Sequence, residues 1–93
     1  MHEVVRQVVI RGRVQGVGFR YWTMREAIRL GVGGWVRNRR DGSVEAVISG
    51  EPQSIEDMLA RCRRGPPAAR VKNVTILSQE DAPCTAFAIR PTE

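Results

Sequence analysis

Side chains that usually carry chemistry are scarce in this chain, and each scarcity removes a class of function. The only histidine is His2, at an end of the kind that frays, so paired-histidine metal sites and histidine-based triads have no material. The two cysteines, Cys62 and Cys84, stand far apart with no histidine or second cysteine pair nearby. A zinc site is therefore not expected, and two thiols in a cytosolic chain are expected to stay free. There is no Gly-Lys-Ser/Thr phosphate loop and no nucleophile elbow around a serine. No apolar run approaches the ~20 residues of a membrane span, and Met1-His2-Glu3 begins none of the regions of a signal peptide. The expectation is a cytoplasmic protein with no membrane partner. Lysine is almost absent too. Fourteen arginines and one lysine against ten acidic residues leave a net charge of +5, which suits an anionic small molecule, a nucleic acid, or simply an arginine-rich genome.

What the 93 residues do contain is a single domain spanning 1–93, with one core that buries about two-thirds of the unfolded surface. Its organising stretch is Gly12-Arg13-Val14-Gln15-Gly16-Val17-Gly18-Phe19-Arg20, between an alternating apolar run and a helical one. A strand that stops at a glycine-rich turn and restarts as a helix leaves backbone N–H groups unpaired near the positive end of the helix dipole. Such groups can converge on one anion. Gly16 and Gly18 leave the backbone open to a phosphate, and Arg20 in the first helical turn offers a planar fork for two phosphate oxygens. On residue types alone, a plain tight turn with a solvated Arg20 is an equally good reading.

The rest of the chain alternates in period. Residues 6–14 read as a strand, with Val8, Ile10, Gly12 and Val14 toward a core and Gln7, Val9, Arg11 and Arg13 toward water. Tyr21, Met24 and Ile28, with Ala27 beside them, mark the apolar face of a helix of about ten residues closed by Gly31, and Thr23, Arg25, Glu26 and Arg29 fall on its other side. Gly33 and Gly34 open a second strand over 35–39, with Val36 and Asn38 on one face. Asp41-Gly42 marks a hairpin turn into a strand over 43–50, on which Glu45 reads as a solvated outward residue. Pro52 opens a second helix with Ile55, Met58, Leu59 and Cys62 on one face, ended by Gly65-Pro66-Pro67. A strand over 70–77, a loop over 78–83 and a short strand over 85–90 complete the chain. The order predicts an α+β, ferredoxin-like βαββαβ sandwich: an antiparallel sheet with two helices on one face and a short extra C-terminal strand.

The run 10–20, followed by Gly34-Trp35-Val36-Arg37-Asn38 and then Gly42, Val44 and Gly50, resembles both signature stretches of the acylphosphatase family, without departure in either. The resemblance covers nearly the whole chain. It implies that the backbone N–H groups of Gln15, Gly16, Val17, Gly18, Phe19 and Arg20 hold the substrate phosphate, that the Arg20 side chain binds it, and that Asn38 orients the attacking water. Taken by residue type alone, Asn38 reads first as a turn-side asparagine satisfying the hairpin backbone. Trp35 reads as a packing residue, and the Tyr21-Trp22 pair could wall the pocket mouth.

The absences fit the implied reaction. Hydrolysis of a phosphate monoester expels a poor alkoxide leaving group and usually recruits a metal or an acid. An acyl phosphate instead expels a carboxylate, whose conjugate acid titrates near pKa ~4 and needs little protonation. With a loose transition state, holding the phosphoryl oxygens and placing a water in line can supply most of the catalysis. The expectation is a metal-independent hydrolase without cofactors, taking an acyl phosphate and releasing inorganic phosphate. An RNA-binding module of similar topology would need aromatics on the first and third strands; here those strands offer Val8, Val9, Ile10, Val44, Ala46 and Val47, so no nucleic-acid partner is expected. Similar domains also form the amino-terminal part of hydrogenase maturation carbamoyltransferases, but a chain that begins and ends with the domain fits a free-standing enzyme. No long apolar stripe is left over, and a monomer is expected.

Overall fold

The chain forms β1 (Val4–Arg13), α1 (Phe19–Leu30), β2 (Gly33–Asn38), β3 (Val44–Gly50), α2 (Pro52–Arg64), β4 (Arg70–Ser78) and β5 (Phe87–Ile89). These elements come from a computed structural model that describes residues 3–78 and 86–93. His2, Cys84, most of the loop expected over 78–83 and the start of the last strand lie outside the described residues. The five strands make one sheet in the order β4-β1-β3-β2-β5. Pairing is antiparallel for β1 with β3, β1 with β4 and β2 with β3.

The expectation of a wholly antiparallel sheet is corrected at β5, which pairs in parallel with β2, Gly34–Val36 against Phe87–Ile89. The direction follows from the strand order. β4 runs opposite to β1 at one edge of the sheet; the chain that leaves it and returns along the far edge must run opposite to β4, which is the direction of β2.

Helix burial follows the period of α2 closely and that of α1 only in part. In α2, Pro52 occupies the first turn, and Ile55, Met58, Leu59 and Cys62 are buried against the sheet, the first three each contributing about 1.5–3 kcal/mol of transfer free energy for full burial. Burial pushes the Cys62 thiol up to about 12, with Arg63 opposing and Glu26 adding to the rise, so it stays a neutral core residue. In α1 the expected apolar face is turned away. Phe19, Thr23, Glu26 and Ala27 are the buried residues, whereas Tyr21 and Ile28 are 58% and 65% exposed. Polar atoms are satisfied on the buried face: the Thr23 hydroxyl donates to the Phe19 carbonyl at 2.7 Å, and Glu26 pairs with Arg29 at 3.0 Å and with Arg61 of α2 at 2.6 Å. With those groups paired, burying them costs little, and Phe19 and Ala27 set the face.

The sheet's helix-covered face carries the row Val8, Ala46 and Val36 across β1, β3 and β2, packed in the main core with both helices. The opposite face departs from the water-facing expectation. Val9 is fully buried between Glu45 of β3 and Thr75 of β4, because strands on both sides crowd it. Glu45, expected to be solvated, is buried as well. Its carboxylate accepts from the Arg37 guanidinium at 2.9 Å and from the Gln7 amide at 2.6 Å, which replaces the lost water. Trp35, also on this face, lies under two guanidiniums, Arg37 at 4.9 Å and Arg90 at 4.6 Å from its ring centre, consistent with packing rather than ligand contact.

At Gly34, as at Gly12 of β1, the backbone leaves no room for any side chain. Gly34 sits at φ 131°, and a Cβ there would fall onto the Val47 carbonyl oxygen of the adjoining strand. Gly34→Ala is expected to destabilise the fold by about 2–4 kcal/mol, since both dihedral strain and displacement of β3 would follow. Urea unfolding checks this, and a loss under about 0.5 kcal/mol, the range of ordinary surface substitutions, would contradict the close approach.

Candidate active site

Two segments distant in sequence meet because of strand direction. β1 and β2 each run antiparallel to β3, so they run parallel to each other and their C-terminal ends share one end of the sheet. The loop after β1 and Asn38 at the end of β2 are thereby brought to the same place.

The loop is pinned at both ends by burial. Val14 is fully buried and Phe19 is 2% exposed, while Gly16 and Gly18 between them are exposed. Both glycines have left-handed backbones, φ 74° and 77°, and a Cβ on either would meet no protein atom within 4 Å. Nothing of the protein covers the loop there. Gly18 is also the N-cap of α1; no side chain caps the helix and no acidic residue occupies its first turn. The positive end of the helix dipole, with its unpaired N–H groups, is left available to an external anion.

Beside this loop lies a pocket of about 250 Å³ lined by Val14, Gly16, Gly18, Phe19, Arg20, Tyr21, Asn38 and Ile89. It is small beside the ~300–1,000 Å³ typical of sites for larger ligands, which suits a phosphoryl group with a small part of an acyl group. Arg20 and Asn38 are half-buried. Among the described residues neither the Arg20 guanidinium nor the Asn38 side-chain amide has a protein partner, so both keep their donors for a ligand. The backbone of Asn38 is held on two sides, by its pairing with Val44 of β3 and by the Glu93 N–H, which donates to its carbonyl at 3.1 Å.

Of the residues expected in the cradle, Gly16, Gly18, Phe19 and Arg20 line the pocket, and Gln15 and Val17 do not. Val17 packs against the core. The Gln15 side-chain amide donates to the Arg39 carbonyl at 2.6 Å and to the Ser43 carbonyl at 2.9 Å, across to the hairpin that follows Asn38. Asp41 closes that hairpin by accepting from the Ser43 N–H and hydroxyl, and these hydrogen bonds, with Arg39 and Arg11 adding, hold its carboxyl below the usual carboxylate range. The aromatic pair at the mouth divides. Tyr21 lines the pocket, whereas Trp22 stacks edge-on to Phe19 at 5.3 Å. Ile89 went unnoticed in the sequence because its place depends on β5 pairing with β2, for which neither strand carries a local signal. Among the described residues no group of three or more His, Cys, Asp or Glu side chains stands close enough to hold a metal ion, and no helix is long and apolar enough to cross a membrane.

Residues 6–89 match the family model for acylphosphatase. The chain belongs to the acylphosphatase family. An acylphosphatase of Nitrobacter winogradskyi is 66% identical over the whole of this chain and 92% of its own length. The crystal structure of an acylphosphatase from Bacillus subtilis superposes with a TM-score of 0.88 at 30% identity, covering 94% of this chain and 98% of that one. Full-length HypF, solved in a phosphate- and nucleotide-bound form, contains a similar unit: TM-score 0.88 at 27% identity, covering 98% of this chain but 12% of that one.

If the uncapped loop and Arg20 form one anion site, inorganic phosphate binds there and Arg20→Ala weakens it by about ten- to a hundredfold, the worth of a charge-assisted hydrogen bond. Calorimetric titration with phosphate measures this, and unchanged affinity would remove Arg20 from the site.

Proposed function

We propose that the protein is an acylphosphatase that hydrolyses the carboxyl–phosphate bond of acyl phosphates to a carboxylate and inorganic phosphate. The observation that carries this reading is the placement of Arg20 and Asn38, from two separate signature stretches, on one pocket beside an uncapped helix N-terminus. Both side chains are without protein partners among the described residues. The N–H groups of the cradle residues that line the pocket, Gly16, Gly18, Phe19 and Arg20, and the Arg20 fork hold the phosphoryl oxygens, whose charge persists through a loose transition state. Asn38 accepts a hydrogen bond from a water and aims it at phosphorus, opposite the acyl oxygen. The water oxygen bonds to phosphorus, the bond from phosphorus to the acyl oxygen breaks with its electron pair leaving on the carboxylate, and the water's proton passes to a phosphate oxygen or to solvent. Because the carboxylate is a good leaving group, no general acid is needed.

The same reading makes the chain one acylphosphatase-like domain over 1–93, a cytoplasmic monomer working without metal or cofactor, with an acyl phosphate and inorganic phosphate as its partners. Neither nucleic acid nor membrane is among them. On the sheet face away from the helices, β1 and β3 present Gln7, Val9, Glu45 and Val47, which offer no platform for stacked bases. The rival reading is a phosphate-binding module without turnover; full-length HypF, which contains a similar unit, was solved with phosphate bound.

Hydrolysis of benzoyl phosphate, followed with and without a chelator, separates the two. The acylphosphatase reading predicts turnover that the chelator leaves unchanged and that Asn38→Ala lowers by about 10²–10³, as loss of one positioned polar group at a reacting centre does, while phosphate affinity is kept. Phosphate binding with no turnover above the uncatalysed rate favours the module.

A further inference from the structure

We propose that the Gln15 side chain is a positioning residue that fixes Asn38 relative to the phosphate-holding loop. The inference rests on the acylphosphatase reading and adds a group that does not touch substrate. Both N–H donors of the Gln15 amide are committed, to the Arg39 carbonyl at 2.6 Å and the Ser43 carbonyl at 2.9 Å. Two carbonyl acceptors leave no choice about which end of the amide faces them. Arg39 directly follows Asn38, and its N–H donates to the same Ser43 carbonyl at 2.9 Å. Gln15 thus joins the pair of residues that closes the base of the hairpin, from the first residue of the loop that holds the phosphate.

Without that tie, loop and Asn38 are connected only through the sheet, from β1 to β3 to β2, and through α1 where it packs on β2. Small changes of twist along three strands would alter the separation of cradle and amide. The Gln15 bridge is a short, direct strut between the two. In-line attack depends on that separation, since misplacement of a reacting group by about 1 Å can cost 10²-fold in rate. Phosphate binding depends on the loop and Arg20 alone, so the strut bears on the water and not on the anion.

The test compares wild type, Gln15→Met, Asn38→Ala and the double variant, with benzoyl phosphate as substrate and inorganic phosphate as ligand. Methionine keeps the length of the side chain and removes the donors. We expect Gln15→Met to lower kcat by about 10–100-fold and to leave phosphate affinity within about twofold, as for an uncoupled site. In the Asn38→Ala background the same substitution is expected to cost less than about twofold, because the group it positions is gone. A parallel loss of phosphate affinity, or an equal cost in both backgrounds, would overturn the proposal in favour of general support of the fold. Should Gln15→Met not fold, Gln15→Lys supplies donors at similar reach and is expected to keep kcat within about fivefold of wild type; a hundredfold loss in that folded variant counts against the strut. If wild type hydrolyses no acyl phosphate, the functional reading fails by itself. The strut is then judged from the Asn38 side-chain NH2 resonances of the phosphate-bound protein, which shift in a folded Gln15 variant if the tie positions Asn38 and stay put if it does not.

Discussion

Burial of Val14 and Phe19 on either side of a short, exposed loop is the constraint on which the rest of the site depends. Both side chains belong to the main core, so both ends of the loop between them are anchored to the fold. An uncapped helix N-terminus normally costs stability through unsatisfied N–H groups. Here core packing at both ends of the loop offsets that cost, and the exposed N-cap Gly18 leaves the helix end open to solvent.

The sheet supplies the second half of the arrangement. Because β1 and β2 flank β3 and share a direction, the ends of two distant segments lie at one end of the fold without any long connection. The polar network on the far face serves the same strand. Arg37, next to Asn38, is held to Glu45 and, at 3.6 Å, to Glu93. A buried carboxylate in this position is tolerable because two donors replace its hydration, and removing either partner would leave a charge poorly solvated. The edge of β2 is covered in turn by β5 and by the backbone of residues 90–93.

Most elements were legible because their periods are strong. The α2 face from Ile55 to Cys62, the turn at Asp41-Gly42 and the cap at Gly31 are local signals, and each stands where the pattern puts it. The misreadings share one cause. Thr23 and Glu26 are buried on α1 only because Phe19 and Arg61 supply partners, one across a helical turn and one from another helix; hydropathy counts such residues as outward. Glu45 was misread likewise, since its partners Arg37 and Gln7 come from neighbouring strands. The parallel β5 and the pocket residue Ile89 depend on how the chain returns across the sheet, which no local pattern encodes. At the site, the signature stretches pointed to Gly16, Gly18, Arg20 and Asn38, which meet on one pocket, while the Gln15 bridge depends on a tertiary contact with the hairpin that no local pattern encodes.

In the proposed reaction the pocket directs water to phosphorus and not to the acyl carbon. Turnover of benzoyl phosphate in 18O-labelled water, with mass analysis of both products, distinguishes the two points of attack. Attack at phosphorus places one labelled oxygen in the inorganic phosphate of each turnover and none in the benzoate. Label in the benzoate would mean attack at the carbonyl carbon, and the roles given to the cradle, Arg20 and Asn38 would be contradicted together.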